Sequence, residues 1–249
     1  MSPAEQVAAW LRQANRVLFI TGAGLSAESG LPTYRGVGGL YEEAETPEGL
    51  SIEQALSGSM LRRDPALCWK YIAQIENACR GAMPNRAHQL IAAFQERVET
   101  WVLTQNVDGF HGQAGSDHVI PIHGDIHELY CPSCGWEDWV HDYAKLHMPP
   151  PCPRCRAIIR PRVVLFGEML PPVAVGGLNQ QLQQGFDLVF SVGTTSGFSY
   201  IAQPVLMAAA QGVPTVEINP GETPVSQHVR QRFSCGAVEA LEAIWAAWR

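Results

Sequence analysis

The chain is short of cationic residues: 17 lysines and arginines stand against 24 aspartates and glutamates, a formal charge of −7. That balance leaves no electrostatic footprint for nucleic acid, which selects basic faces. Long apolar runs are also missing. Val17-Leu18-Phe19-Ile20 is too short for a signal core or a membrane span, and the opening Met1-Ser2-Pro3-Ala4-Glu5-Gln6 has no basic leader. A cytoplasmic location is therefore expected, with neither nucleic acid nor membrane as partner. Seven cysteines make no disulfide framework, since four fall in two C-x-x-C pairs and Cys68, Cys79 and Cys235 are scattered. There is no internal repeat and no low-complexity segment, and 249 residues suffice for one large core with a small satellite.

Short apolar runs alternate with longer helix-like segments, the pattern of an α/β domain built on a mostly parallel sheet. Strands are expected over residues 17–21, 100–104, 118–122, 163–166, 187–192 and 215–218. Helices are expected over 4–14, 65–78, 86–96, 200–211 and 238–248. Residues 37–84, Gly- and Glu-rich and then helical, and residues 131–160, rich in cysteine and proline, break the rhythm and read as insertions. The expected organisation is a Rossmann-like unit of residues 1–36, 85–130 and 161–249, a helical insertion over 37–84 and a zinc module over 131–160.

The first polar feature is Gly22-Ala23-Gly24-Leu25-Ser26-Ala27 after the apolar run, a fit to the G-x-G-x-x-G/A turn that brings backbone close to a pyrophosphate. A long helix should follow. Instead Ser29-Gly30-Leu31-Pro32 interrupts it, because glycine is a weak helix former and proline costs about 3 kcal/mol in a helix interior. The phosphate cradle thus becomes a loop.

Cys131-Pro132-Ser133-Cys134 and Cys152-Pro153-Arg154-Cys155 have the spacing of two knuckles closing one tetrahedral zinc site. Four thiolates leave no position for substrate or activated water, so the metal holds structure and does no chemistry. His141 and His147, between the knuckles, read as exposed loop histidines.

Two strands end in crowded polar residues. Gln105-Asn106-Val107-Asp108 follows one apolar run and His123-Gly124 another. Buried polar side chains need partners. An Asp108-Gly109 turn explains the aspartate alone, and the rest points to a site beyond the strand ends. An imidazole with an ordinary pKa near 6.5 suits proton transfer, and Gly124 is expected to let a substrate backbone or sugar approach. Val163 to Glu168, Ser191 to Gly197 and Glu217 to Pro224 supply further strand-to-loop junctions.

These residues together resemble the sirtuins, NAD-dependent protein-lysine deacylases of bacterial type. Gly22-Ala23-Gly24-Leu25-Ser26 through Ser29-Gly30-Leu31-Pro32-Thr33-Tyr34-Arg35 is similar to that family's opening motif. Thr104-Gln105-Asn106-Val107-Asp108, His123-Gly124, Phe166-Gly167-Glu168, Gly193-Thr194-Thr195, Asn219 and Cys235-Gly236-Ala237 resemble its later motifs in order, with the cysteine pairs between the second and third. The resemblance implies that Gly22, Ala23 and Gly24 admit the pyrophosphate through backbone N–H groups. It also implies that Tyr34 and Arg35 cover the nicotinamide end, and that Gln105 and Asn106 order the ribose and a water. Asp108 would bind the carboxamide, and Gly193, Thr194, Thr195, Asn219, Gly236 and Ala237 would line the adenosine half. Ser26, Ala27, Pro32 and Val107 complete the implied cofactor site. Val164, Phe166, Gly167 and Glu168 would pair with an extended acyl-lysine peptide by strand addition.

By the same resemblance NAD is a co-substrate and not a hydride carrier. The acyl oxygen attacks the anomeric carbon and expels nicotinamide. His123 then acts as general base toward a ribose hydroxyl, Asn106 assists, and free lysine and 2′-O-acyl-ADP-ribose are released. Tyr34 for phenylalanine, Thr195 for serine and Cys235 for glycine depart from the pattern. Family members that remove succinyl or malonyl groups carry Y-x-x-R in the helical insertion. Here Tyr71 pairs with Gln74, or Ile72 with Ile75, so an acetyl or neutral acyl group is expected, although Glu45 to Leu50 resembles members that include desuccinylases. Mono-ADP-ribosyl transfer, a nucleotide sensor without turnover and a dehydrogenase are the competing readings. A sensor has no need of a base, and no acid stands where a dinucleotide fingerprint would have it.

Overall fold

The structure, a computed structural model, describes residues 1–32 and 45–249. Among these the chain runs α1 (Pro3–Gln13), β1 (Arg16–Thr21), α2 (Ala23–Ala27), α3 (Ile52–Ala55), α4 (Gly58–Arg63), α5 (Pro65–Cys79), α6 (Arg86–Phe94), β2 (Glu99–Thr104), α7 (Phe110–Gln113) and β3 (His118–Pro121). There follow β4 (Gly124–Tyr130), β5 (Glu137–Trp139), β6 (Arg160–Val163), α8 (Pro172–Gln184), β7 (Leu188–Val192), α9 (Ser199–Ala210), β8 (Thr215–Ile218), β9 (Gln231–Phe233) and α10 (Ala237–Trp248). Local chemistry sets many of these boundaries. Ser2 and Glu5 form a capping box ahead of Pro3 in α1, and Asp64 with Pro65 ends α4 and starts α5.

Six strands form one parallel sheet in the order β3-β2-β1-β7-β8-β9. Side chains alternate across it, as the two-residue strand period requires. Val17, Phe19, Val102 and Phe190 pack on one face with α1, α6 and α10, while Leu18, Ile20, Leu103 and Val189 pack on the other with α8 and α9. Both faces are covered, which is why Val17 to Ile20 of β1 reads as an unbroken apolar run. Phe19 stacks on Phe190 at 4.4 Å and on Phe94 at 5.7 Å between ring centroids. The strand order reverses between β1 and β7, and such a switch point opens a crevice at the carboxyl ends of the strands.

A second, antiparallel sheet has the order β5-β4-β6. Here the expectation of a strand over 163–166 is corrected. The strand is β6, it belongs to the small sheet, and its pairing with β4 ends where Gly124 meets Val163. Of residues 164–166 only Phe166 is bridged, in parallel to Ser57. The helical insertion and the cysteine-rich segment share one core: Ile52, Trp69 and Ile72 pack with Ile126, Leu129, Tyr143, Cys152 and Ile159. The Trp69 indole donates to the Ile159 carbonyl at 3.0 Å, and Tyr143 bonds the Ile126 carbonyl. Among the described residues no helix is long and apolar enough to cross a membrane.

Candidate active site

The polar ends of β1, β2, β3, β7 and β8 open on the same crevice edge because these strands run parallel, while the Val163 to Glu168 junction follows β6 of the small sheet. At its centre the loops after β1 and β7 interlock. The Gly22 N–H donates to the Val192 carbonyl at 3.1 Å and the Gly24 N–H to the Gly193 carbonyl at 2.8 Å. A Cβ on Gly24 would lie 2.8 Å from the Gly193 Cα, and one on Gly193, at φ +59°, would lie 2.3 Å from the Leu25 nitrogen. These glycines are therefore required by loop-on-loop contact, and the N–H groups of Gly22 and Gly24 are already committed to carbonyls. Gly193→Ala should lower stability by about 2–4 kcal/mol, combining left-handed strain with a backbone clash. Urea denaturation of the variant measures this.

Asn106 and Asp108 converge on Ser26. The Asn106 amide donates to the Gly22 carbonyl and to Ser26 Oγ, both at 3.0 Å, and the Ser26 hydroxyl donates to Asp108 Oδ2 at 2.7 Å. Asp108 Oδ1 accepts the Phe110 N–H at 3.0 Å. Burial pushes the Asp108 carboxyl above its ordinary pKa, and the bonds from Ser26 and Phe110 oppose the rise. Gln105 spans the crevice, donating from Nε2 to Thr194 Oγ1 at 2.7 Å. Asn219 reaches the same loop by donating to the Thr194 carbonyl at 2.9 Å. Thr195 is exposed, Val107 packs against the core shared by the two insertions, and Ala27 and Pro32 are half-buried. Gly236 caps α10, whose Val238 N–H donates to Glu28 at 2.9 Å, and Ala237 is buried behind it. Tyr34 and Arg35 lie outside the described residues.

His123 follows β3, held there because the Ile122 N–H bonds the Thr104 carbonyl at 3.0 Å. Its Nδ1 lies 3.0 Å from the Gln105 carbonyl and its Nε2 lies 2.7 Å from the Tyr200 hydroxyl. A carbonyl can only accept, so the neutral ring carries its proton on Nδ1 and a lone pair on Nε2. Burial drives the pKa below its ordinary value, and the Gln105 carbonyl pulls it back in part. The expectation for Gly124 needs correction: a Cβ there, at φ +85°, would lie 1.8 Å from the Arg162 carbonyl oxygen. The absent side chain is taken up by β6 and leaves no room for a sugar.

The segment after β6 is clamped on one side. Val164 donates its N–H to the His123 carbonyl at 2.9 Å, and the Phe166 N–H and carbonyl bond Leu56 and Gly58 at 3.0 and 3.1 Å. Glu168 is turned inward: its carboxylate takes Arg160 Nη1 and Nη2 at 2.6 and 2.8 Å and the Leu165 N–H at 3.0 Å. This bidentate pair keeps the carboxyl below its usual range. Gly167 is exposed.

Cys131, Cys134, Cys152 and Cys155 bring their Sγ atoms within 4.8 Å of one another. Cys131 to Cys155 is 3.5 Å and Cys134 to Cys152 is 3.6 Å. A tetrahedron with Zn–S bonds of about 2.3 Å has edges of roughly 3.8 Å. The donor set therefore fits a closed zinc site.

Sequence reasoning missed four residues here. His111 is buried, with Nε2 at 2.9 Å from Thr21 Oγ1, which in turn donates to Thr104 Oγ1 at 2.9 Å. His88 lies against it at 5.0 Å between ring centroids. Burial depresses these imidazoles to about 3 and about 4, so both are neutral supports under the crevice. Tyr200 and Phe198, at the start of α9, stack on each other and stand edge-on to His123. Only the aromatic Phe198-Ser199-Tyr200 pattern beside a hydroxyl-rich loop hinted at them.

The model of the Sir2 family matches residues 22–198. NAD-dependent protein deacylase 2 of Pseudomonas aeruginosa is 51% identical over 247 residues, covering 98% of this chain and 96% of that protein. A solved Sir2 homologue, a triple mutant in complex with 2′-O-acetyl ADP ribose, superposes with a TM-score of 0.87 at 32% identity, covering 99% of this chain and 96% of that one. A Sir2–p53 peptide–NAD+ complex gives a TM-score of 0.84 at 27% identity, with 99% and 98% covered. A family match over most of the chain and 51% identity across nearly its whole length mean that the chain belongs to the Sir2 family.

Proposed function

We propose that this protein is an NAD-dependent protein-lysine deacylase, which converts NAD, acyl-lysine and one water to nicotinamide, free lysine and 2′-O-acyl-ADP-ribose. The observation that carries the reading is the His123 lone pair on Nε2, fixed by the Gln105 carbonyl at the strand-end crevice. NAD supplies the electrophilic sugar carbon and the nicotinamide leaving group. His123 takes the ribose hydroxyl proton at Nε2. Gln105, Asn106 and Asp108 hold the nicotinamide ribose and carboxamide, and Ser26 keeps the last two in register. Gly22, Ala23 and Gly24 line the phosphate end, Tyr34 and Arg35 cover the nicotinamide end, Ala27, Pro32 and Val107 complete the cofactor site, and Gly193, Thr194, Thr195, Asn219, Gly236 and Ala237 line the adenosine end.

The acyl-lysine peptide adds as a strand along residues 164–168. Since Phe166 is already bridged to residues 56–58, it pairs with the opposite edge of the segment. Glu168 anchors the segment through Arg160. The NAD-binding unit comprises residues 1–36, 85–130 and 161–249, and the insertions 37–84 and 131–160 face it as one lobe, a reading supported by their common core. Four thiol ligands suit the reducing cytoplasm.

Among the described residues, neither register of α5 supplies a cation for a dicarboxylic acyl group. Ile72 is buried and Ile75 packs beside it, while the Tyr71 hydroxyl and the Lys70 ammonium both engage the Glu48 carboxylate. An acetyl-lysine peptide should release nicotinamide with a kcat/KM at least about tenfold above its succinyl counterpart, the size expected of one unpaired charge. A peptide panel assayed for nicotinamide release checks both the activity and the preference, and succinyl turning over faster would reverse the latter.

A further inference from the structure

If His123 is the base of the reaction just proposed, its lone pair must be open to a ribose hydroxyl, yet the structure fills it. The Tyr200 hydroxyl lies 2.7 Å from Nε2. Nδ1 is committed to the Gln105 carbonyl, so the tyrosine is the donor. An sp² ring nitrogen has one in-plane lone pair and accepts one hydrogen bond. The two hydroxyls are therefore mutually exclusive partners.

Tyr200 is placed for this by local structure. Phe198 stacks flat on it, 5.4 Å between centroids at 13°, and both rings stand nearly perpendicular to the imidazole, at 87° and 82°. Phe198 is about half exposed, so the aromatic pair forms a cover at the mouth of the crevice. It sits on the first turn of α9 beside the loop of Gly193, Thr194 and Thr195. The groups facing the ring are the Gln105 carbonyl beyond β2 and the Tyr200 hydroxyl and Phe198 ring of the α9 start. No carboxylate or cation among the described residues perturbs it.

We propose that Tyr200 is a positioning residue that caps the general base in the free enzyme, locking its productive tautomer and keeping it neutral, and that its hydroxyl leaves Nε2 when substrate binds. A hydrogen bond donated to the neutral nitrogen disfavours protonation. Tyr200→Phe keeps the ring and its stacking and removes only the donor.

The test has two arms. In the free protein, NMR titration of the His123 imidazole should show Tyr200→Phe raising its pKa by about 0.5 to 1 unit, the equivalent of one hydrogen bond. This arm needs no turnover and stands whether or not the deacylase reading survives. In the second arm, the acid limb of kcat/KM, which reports the free enzyme, should move up by the same amount, while the acid limb of kcat, which reports the complex, stays in place. An unshifted His123 in the variant overturns the cap. So does a kcat limb that moves with that of kcat/KM, since the tyrosine would then remain on the ring during reaction. A loss of kcat greater than about tenfold at every pH also overturns it, and assigns Tyr200 to proton relay instead.

Discussion

His123→Ala is expected to reduce peptide-dependent nicotinamide release by about 10²- to 10⁴-fold, the range lost with a general base, while the protein stays folded. The side chain is bonded at both ring nitrogens, but only to a loop carbonyl and the Tyr200 hydroxyl, so its removal opens a small cavity at the crevice and leaves the cores on both sheet faces intact. A stopped assay for free lysine, read beside circular dichroism and NAD binding, separates lost chemistry from lost structure. The pH profile gives a second handle. Burial lowers the His123 pKa, so the neutral base persists to lower pH than a free imidazole. The acid limb of kcat/KM in the unmodified enzyme should then be centred below about 6.5, the ordinary value. Retained activity in the alanine variant, or an acid limb well above that value, would remove His123 from its role.

Loss of zinc should have the other large effect, and it should reach the peptide segment. Cys131 and Cys152 are almost fully buried in the core that also holds Ile52, Trp69 and Ile72. Structural zinc sites contribute on the order of 10 kcal/mol of apparent binding free energy, more than a three-stranded sheet with an exposed β5 can replace. Cys152→Ser, or thiol modification in the presence of a chelator, should release about one metal ion per chain. It should also raise amide exchange across β4 to β6 and residues 52–72, with the six-stranded sheet still protected. Because Val164 hangs from the His123 carbonyl and Phe166 from Leu56 and Gly58, deacylation should fail in the same step. A variant that lost metal but kept both protection and activity would contradict this.

Much of the fold could be read from the chain because both sheet faces are covered. β1 is buried on both sides, so Val17 to Ile20 appears as an uninterrupted apolar run ending in polar residues, and β2 and β7 are nearly so, whereas β8 carries the buried Glu217 midway. The cysteine spacing was equally direct, since four ligands around one ion admit few separations. Other elements left weaker traces. β5 is exposed throughout and β4 alternates irregularly across a register shift, so neither carries a strand period. α8 contains Gly176 and Gly177 and starts among prolines, against helix propensity. Tyr200 was hidden for another reason: it is 77 residues from His123, and only the parallel order of β3 and β7 across the sheet brings them together. The glycines at 22, 24 and 124 were noticed for the room they give a ligand. Their neighbours are backbone atoms of other loops, a close approach between segments far apart in the chain.

The common core of the two insertions ties recognition chemistry to metal retention. Retuning the enzyme for carboxylated acyl chains in the register of Ile72 and Ile75 would place an arginine at Ile75 and set a charge against the core that also holds Cys131 and Cys152, whereas Gln74 of the other register is exposed. Such a redesign would have to be screened for zinc occupancy as carefully as for turnover.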